Sequence, residues 1–339
     1  MNFIKTSSFI VLLLLLTACF PSNNSAKNEI LLQGNTMGTT YHIKVVSTLG
    51  EVKALNLQQK IDSVLIQVNQ EMSTYIPDSE LSRFNKNTST EAVEVSSGLA
   101  RVIKESIRLG QISDGKLDVT VGPLVNLWGF GPEHRPETVP SEEMLAATQK
   151  RIGLQYLSLE GNKLTKAIPQ LYVDLSTTAK GYGVDVVAEL LEDNGFQNYL
   201  VEIGGEMRLK GFKYTGELWH VAIEKPVSNE RSVQQIIVPK DNAIATSGDY
   251  RNYFEAGGMR FSHIIDPDTG KPINHKLVSV TVIAPSSMTA DGLSTAMMVM
   301  GENKAYEFAM KHDIAAYIIS KTDNGFREEI TVKFMPYMK

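Results

Sequence analysis

The chain has 339 residues, of which 42% are hydrophobic and 21% charged, with a formal net charge of −5. That length supports a sizeable core in one large domain or two fused ones, and the composition is that of a globular chain. The acidic balance argues against a nucleic-acid binder, which needs a basic face.

At the N-terminus, Lys5 precedes a short apolar core, Phe9 to Leu16. The core is too short to span a bilayer and has the shape of a secretory signal. The step LTAC, Leu16 to Cys19, resembles the bacterial lipobox, in which lipid is attached to the cysteine and cleavage occurs just before it. A plain signal peptide with a chance cysteine is the alternative. Cys19 is the only cysteine, so the chain forms no intramolecular disulfide and no cysteine-based metal site. Phe20 to Asn28 is polar and aperiodic, as a flexible tether is. Residues 1–18 are therefore expected to be a signal peptide, 19–28 a lipidated N-terminus and tether, and 29–339 the folded part.

The folded part opens with EILLQGNTMGTTYHIKVVS, a strand pair interrupted by glycines between Gly34 and Gly38. Leu57, Ile61, Val64, Leu65, Val68 and Met72 recur at helical spacing. SGLARVIKESIRLGQIS has the same period. PSEEMLAATQKRIG predicts a third helix with Ser141 as N-cap, two glutamates in its first turn and Gly153 as its stop. YLSLEGNKLTKA reads as a hairpin turning at Gly161-Asn162. A strand and then a helix are expected over Leu171 to Asn194, and a strand-rich stretch over Tyr199 to Val282. Two helices, TADGLSTAMMVM and NKAYEFAMKH, precede two closing strands. Strands and helices mix without strict alternation, which predicts an α+β or mixed α/β fold, not a doubly wound parallel sheet.

Five segments hold groups that could do chemistry. VDLSTTAKGYGVD, Val173 to Asp185, puts a carboxylate, three hydroxyls and Lys180 where a strand is expected to turn into a helix. Free helical N–H groups and the helix dipole favour an anion there. The lysine precedes its glycine, so this is not a Walker A loop. In MTADGLSTAMM, Asp291 and Thr295 are four apart and share a helix face, an oxygen pair that suits a hard cation such as Mg²⁺. On spacing alone, the pair reads rather as a helix cap and a hydroxyl bonded back to a carbonyl. SHIIDPDTGKP is a strong turn signal, and its His263 is either structural or a general base near neutral pH. No histidine lies at zinc-ligand spacing from it. IATSGDYRNYFE lacks the nucleophile-elbow pattern around Ser247, which leaves a turn with backbone donors. In KLDVTVGPLVNLWGFG, Asp118 and Thr120 would point to one side of a strand, with Trp128 and Phe130 as core aromatics.

Taken in order, NTMGTTY, MSTY, LDVTVGPLVNLWGFG, DLSTTAKGYGVD, GGEMRLKG, ATSGDYRNYF, HIIDPDTGKP and TADGLSTAMMVMG resemble the ApbE family of FAD:protein FMN transferases. The resemblance spans nearly all of the chain after the tether. It implies a T-fold-like architecture with a flavin cleft between two interlocked halves. It also implies Mg²⁺-dependent cleavage of FAD, with FMN passing to a threonine hydroxyl of an acceptor flavoprotein and AMP leaving. Some members hydrolyse FAD to FMN and AMP instead, and a flavin-binding lipoprotein without turnover is a third reading. The usual acceptors belong to membrane redox complexes outside the cytoplasm, beside which a lipid-anchored protein facing the periplasm or cell envelope would sit. Carried over residue by residue, FAD would meet Met37, Tyr75, Asp118, Val119, Thr120, Asp174, Lys180 and Ile265. Thr177, Asp291 and Thr295 would hold Mg²⁺, with Thr177 using its hydroxyl or its backbone oxygen. His263 would take the proton from the acceptor threonine.

Overall fold

The structure is a computed structural model that describes residues 27–132, 139–226, 232–249, 253–256 and 258–339; Cys19 and the expected lipobox lie outside them. Eight strands form one sheet and lie in it in chain order. They are β1 (Asn28–Thr36), β2 (Thr39–Ser47), β3 (Tyr199–Ile203), β4 (Glu206–Lys210), β5 (Ala243–Gly248), β6 (Leu277–Ala284), β7 (Ala315–Thr322) and β8 (Gly325–Ile330). Every neighbouring pair is antiparallel. The expected α+β class is therefore met by an antiparallel meander, and its long helices are insertions between consecutive strands. β1 starts at Asn28, the residue expected to end the tether.

The strand pair at the start turns at Met37 and Gly38, with φ of 49° and 71°. Two consecutive positive φ values are what a two-residue hairpin of matching twist requires. Gly34 is not part of that turn. It lies within β1 opposite Tyr41, whose ring would be 2.6 Å from a Cβ placed there.

Period-two alternation sends the two sheet faces into different cores. Ala245, Val280, Val282, Ala316 and Ile318 pack under one set of helices. Their neighbours Ile244, Ile283, Ala315, Tyr317 and Ile319 pack on the opposite face with Trp219, Val221, Ile237 and Phe334. The helical face carries α1 (Leu57–Met72), α3 (Ser176–Asp193) and α4 (Ser287–Met300), with α2 (Ser97–Ile112) beside them. In α1, Leu57, Ile61, Leu65, Val68 and Met72 are buried as their spacing predicts.

A second body of structure is inserted between β2 and β3. It contains the short sheet Val93–Glu94, Lys163–Lys166 and Leu157–Glu160, whose hairpin turns at Gly161 as expected. The helix capped by Ser141 runs Glu142–Gln149 and stops before Gly153, which instead takes φ 134° at the entry to the next turn.

Two expected strands are absent. Leu171 to Leu175 joins no ladder. The Asn85 side chain takes the place of a partner strand: it accepts the Val173 N–H and donates to the Val173 carbonyl, both at 2.8 Å. Asp118 to Thr120 is a turn, because Asp118 Oδ1 accepts the Thr120 N–H (2.7 Å) and hydroxyl (2.6 Å). A short polar side chain that satisfies the backbone two residues on favours a turn over a ladder. The Asp174 N–H then donates to the Val119 carbonyl at 2.7 Å, which fastens the two irregular segments together.

Candidate active site

A cleft of about 410 Å³ opens where the insertions meet the sheet. Its floor comes from α3, α4 and the sheet: Thr177, Lys180, Asp291, Thr295, Glu206 and Ser247. Its walls are Asp118, Val121, Val125 and Phe130 on one side and His263, Ile264, Ile265 and Pro267 on another, with Tyr75 and Asp174 also contributing.

The helix α3 begins at Ser176, so the hydroxyls of DLSTTAK lie in its first turn. Asp174 Oδ1 accepts the Ser176 N–H at 2.9 Å. Thr178 is buried and bonds to Ser106 Oγ and the Leu175 carbonyl. Ser176 and Thr177 are left for the cleft. In α4 the N-cap is Ser286, whose hydroxyl accepts the Thr289 N–H. Asp291 is therefore not a cap. It sits one turn further in and is 4% exposed. The hydroxyl that bonds back to a carbonyl is that of Ser294, on the Asp291 carbonyl at 2.9 Å. Thr295 Oγ1 instead meets Ser247 Oγ at 3.1 Å. Both parts of the helix-cap explanation thus fail, and the carboxylate and hydroxyl do face one space.

Lys180 ion-pairs with Glu206, which is 3% exposed. The Gly181 N–H, which in a regular helix faces the Thr177 carbonyl, donates to Asp291 Oδ2 at 3.1 Å. Burial pushes the Asp291 carboxyl up to about 8; Lys180 opposes the rise, and Glu206 and Asp185 add to it. Burial raises Glu206 as well, against the pull of Lys180. For Lys180 burial acts downward, but Asp291 and Glu206 outweigh it and hold the ammonium above its ordinary value. Two carboxyls sharing one ammonium leave a deficit of positive charge.

Thr177 Oγ1 and Glu206 Oε2 are buried and have no hydrogen-bond partner among the described residues. Unpartnered oxygens beside a desolvated carboxyl fit a small divalent cation, which takes oxygen ligands and keeps waters or substrate phosphates. Among the described residues no group of three or more His, Cys, Asp or Glu could hold a metal ion. A cation here would therefore rely on Asp291, hydroxyl and carbonyl oxygens, and oxygens of the substrate.

His263 follows the strand Met259–Ser262 and precedes a two-strand hairpin, Ile265–Asp266 with Lys271–Pro272. Lys116 holds that hairpin by ion pairs to Asp266 (3.0 Å) and Asp268 (2.7 Å). Trp128 Nε1 donates to the Gly270 carbonyl at 2.9 Å, and its ring stacks on Phe261 at 5.5 Å. Trp128 is thus the core aromatic expected, whereas Phe130 reaches the cleft and meets the His263 ring edge-on at 6.4 Å. Asp118 also faces the cleft, and burial raises its carboxyl despite opposing hydrogen bonds from Thr120 and Leu154.

Of the residues named from the sequence, Tyr75, Asp118, Asp174, Thr177, Lys180, His263, Ile265, Asp291 and Thr295 converge on this cleft. Tyr75 is 65% exposed, an aromatic face open at the mouth. Met37, Val119 and Thr120 are not among the lining residues. Met37 is at the first hairpin, against Gly183. Val119 is 1% exposed in the core of the insertion, and the Thr120 hydroxyl is taken by Asp118 and the Gly153 N–H. Glu206 and Ser247 also line the floor, and neither is among the residues expected there. For Glu206 a signal exists: GGE at a strand turn, where Gly204 and Gly205 take φ of 60° and 107°. Ser247, expected in a turn, lies near the end of β5, with its hydroxyl 2.7 Å from Ser294 Oγ.

A model of the ApbE family matches residues 37–318. The chain belongs to the ApbE family. An FAD:protein FMN transferase of Vibrio cholerae is 55% identical to it over 326 residues, 96% of each chain. One of Haemophilus influenzae is 54% identical over 305 residues, 88% of each. Among solved structures, the flavin transferase ApbE from Vibrio cholerae superposes with a TM-score of 0.86 at 55% identity, covering 92% of this chain and 100% of that one. The Pseudomonas stutzeri flavinyl transferase ApbE, in its apo form, gives 0.85 at 39% identity, covering 92% and 97%. The antiparallel sheet with its inserted helices is thus the ApbE fold, and the cleft lies within the matched span.

Proposed function

We propose that this protein is an FAD:protein FMN transferase that moves the FMN half of FAD onto a threonine hydroxyl of an acceptor protein and releases AMP. The relatives' activity supports the reading, and the cleft floor carries it. Lys180, Asp291 and the two unpartnered oxygens, Thr177 Oγ1 and Glu206 Oε2, make a site for polyphosphate and cation together.

The threonine oxygen attacks the phosphorus on the FMN side, the bridging P–O bond breaks, and the oxygen leaves with AMP. Lys180 and the first turn of α3 neutralise the pyrophosphate and keep it in line. Asp291, Thr295 and Thr177 would hold Mg²⁺, which when bound withdraws charge from the phosphoryl oxygens. His263 accepts the hydroxyl proton as the oxygen attacks. Tyr75 offers a flat face for ring stacking, and Asp118, Asp174 and Ile265 line the rest of the dinucleotide.

The direct test is to mix the purified protein with FAD, Mg²⁺ and a candidate acceptor and to weigh the acceptor by mass spectrometry. Addition of the mass of FMN less water supports transfer. Free FMN and AMP with an unmodified acceptor would mean that water is the nucleophile and the protein is an FAD pyrophosphatase. FAD recovered intact would leave a flavin-binding protein without turnover.

A lipid anchor at Cys19, holding the domain to a bacterial membrane and facing the periplasm or cell envelope, is part of the same reading. Among the described residues no helix is long and apolar enough to cross a membrane. Replacing Cys19 with serine should move the protein from the membrane fraction to the soluble envelope fraction, since each acyl methylene buried contributes ~0.8 kcal/mol. A Cys19→Ser variant that still sediments with membranes would assign the attachment to a partner or a protein surface.

A further inference from the structure

We infer, on the cation reading above, that Asp185 is a positioning residue that sets α4 against α3 and thereby the spacing of the oxygens that would hold the cation. Asp185 is fully buried and lies outside the cleft lining. Both of its oxygens are used. Oδ1 accepts the Ser287 N–H at 2.9 Å and an Arg208 N–H at 3.1 Å. Oδ2 accepts the Ser286 hydroxyl at 2.7 Å and the Met288 N–H at 3.0 Å.

The first free amides of α4 are thus capped by a carboxylate from another helix, where the α4 dipole is positive. Thr177, Gly181 and Asp185 are spaced by four along one face of α3. Against that face, Asp185 meets residues 286–288 and Gly181 meets Ser287, Met288 and Asp291. The helices are pressed together at Gly181, where an added Cβ would lie 2.4 Å from the Ser287 carbonyl oxygen. A slip of α4 by one residue would shift it ~1.5 Å and turn it by about 100°. Either motion would take Asp291 off the Gly181 N–H and Thr295 away from Ser247. The clamp at Asp185 opposes both.

An amide at this position cannot substitute. In Asp185→Asn the new NH₂ group would have to face an N–H of α4 or the Arg208 guanidinium, donor against donor. The test is a titration of Mn²⁺ into protein saturated with FAD, with free Mn²⁺ read by electron paramagnetic resonance against the same titration of FAD alone. Asp185→Asn should weaken Mn²⁺ binding about tenfold or more, the usual cost of losing a group that orients a ligand. FAD fluorescence quenching without metal should stay near wild type. The Mg²⁺ concentration for half-maximal transfer should rise by the same factor, with most of the rate recovered at saturating Mg²⁺. Ser286→Ala, which removes one of the four hydrogen bonds to Asp185 and the cap on the Thr289 N–H but keeps the carboxylate clamp on the Ser287 and Met288 amides, should give a smaller shift in the same direction. If wild type binds Mn²⁺ and both variants match it, with only thermal stability lowered, Asp185 is merely structural and the inference fails. If wild type binds no Mn²⁺ beyond FAD alone, the cation reading fails and this inference falls with it.

Discussion

An Asp291→Ala enzyme is expected to lose flavin transfer almost completely, by about a thousandfold or more if the lost charge stabilisation is worth ~4 kcal/mol at ~1.4 kcal/mol per factor of ten. The carboxylate is the only charge that α4 brings to the cleft floor. Thr295→Ala should cost far less, since water can replace a neutral hydroxyl ligand. The same residue predicts a pH dependence. Burial raises Asp291 to about 8 in the metal-free protein, with Lys180 opposing. Below that pH the carboxyl keeps its proton and must release it to bind a cation. The half-saturating Mg²⁺ concentration should therefore fall as pH rises towards 8 and level off above it. The sign for stability is the opposite. The folded carboxyl binds its proton more tightly than the unfolded one, so the metal-free protein loses stability as pH climbs from about 4 through 8. Transfer assays across Mg²⁺ concentrations at three pH values, with metal-free melting curves, check both. Full activity in EDTA, or an Asp291→Ala enzyme near the wild-type rate, would sink the metal assignment.

Replacing His263 with alanine should slow transfer by about a hundredfold or more while leaving FAD and Mg²⁺ binding nearly intact. A threonine hydroxyl is almost wholly protonated at neutral pH, so its attack needs a positioned base. His263 is the histidine on the cleft wall, and the turn after it is held by other residues: Lys116 fixes it through Asp266 and Asp268, and Trp128 fixes Gly270. Removal of the ring should therefore spare the turn and the melting temperature. Fluorescence quenching by FAD, read beside single-turnover transfer to an acceptor, separates the cases. Transfer at the wild-type rate would remove the base assignment. So would a loss that tracks a fall in FAD affinity.

Much of the local structure is legible in the sequence because it depends on near neighbours in the chain. The apolar stripe of α1, the Ser141 cap, the turn at Gly161 and the helical period of α2 each follow from periodicity or backbone sterics over a few residues. The two expected strands fail for a physical reason. Whether an extended segment joins a ladder depends on what lies beside it, and for Val173 that is the side chain of Asn85, 88 positions away. Asp118 bends the chain because its carboxylate finds the Thr120 N–H first.

The site divides in the same way. The order of short segments from NTMGTTY onwards is enough to place the chain in its family, and the residue types in them are enough to suggest polyphosphate and a hard cation. Spacing alone does not tell Asp291 from a helix cap. That is decided when Ser286 takes the cap and the close approach at Gly181 turns Asp291 towards the Gly181 amide. Nor does spacing show that Glu206 on β4 shares Lys180 with Asp291, or that Thr120 is turned into the core. The sequence by itself determined which groups are present, the helical periods and which faces are apolar, because propensity and period are local. Which carboxyl loses its water, which hydroxyl stays unpartnered and which ammonium stands between two acids were decided only by tertiary packing, since desolvation and charge pairing act between residues far apart in the chain.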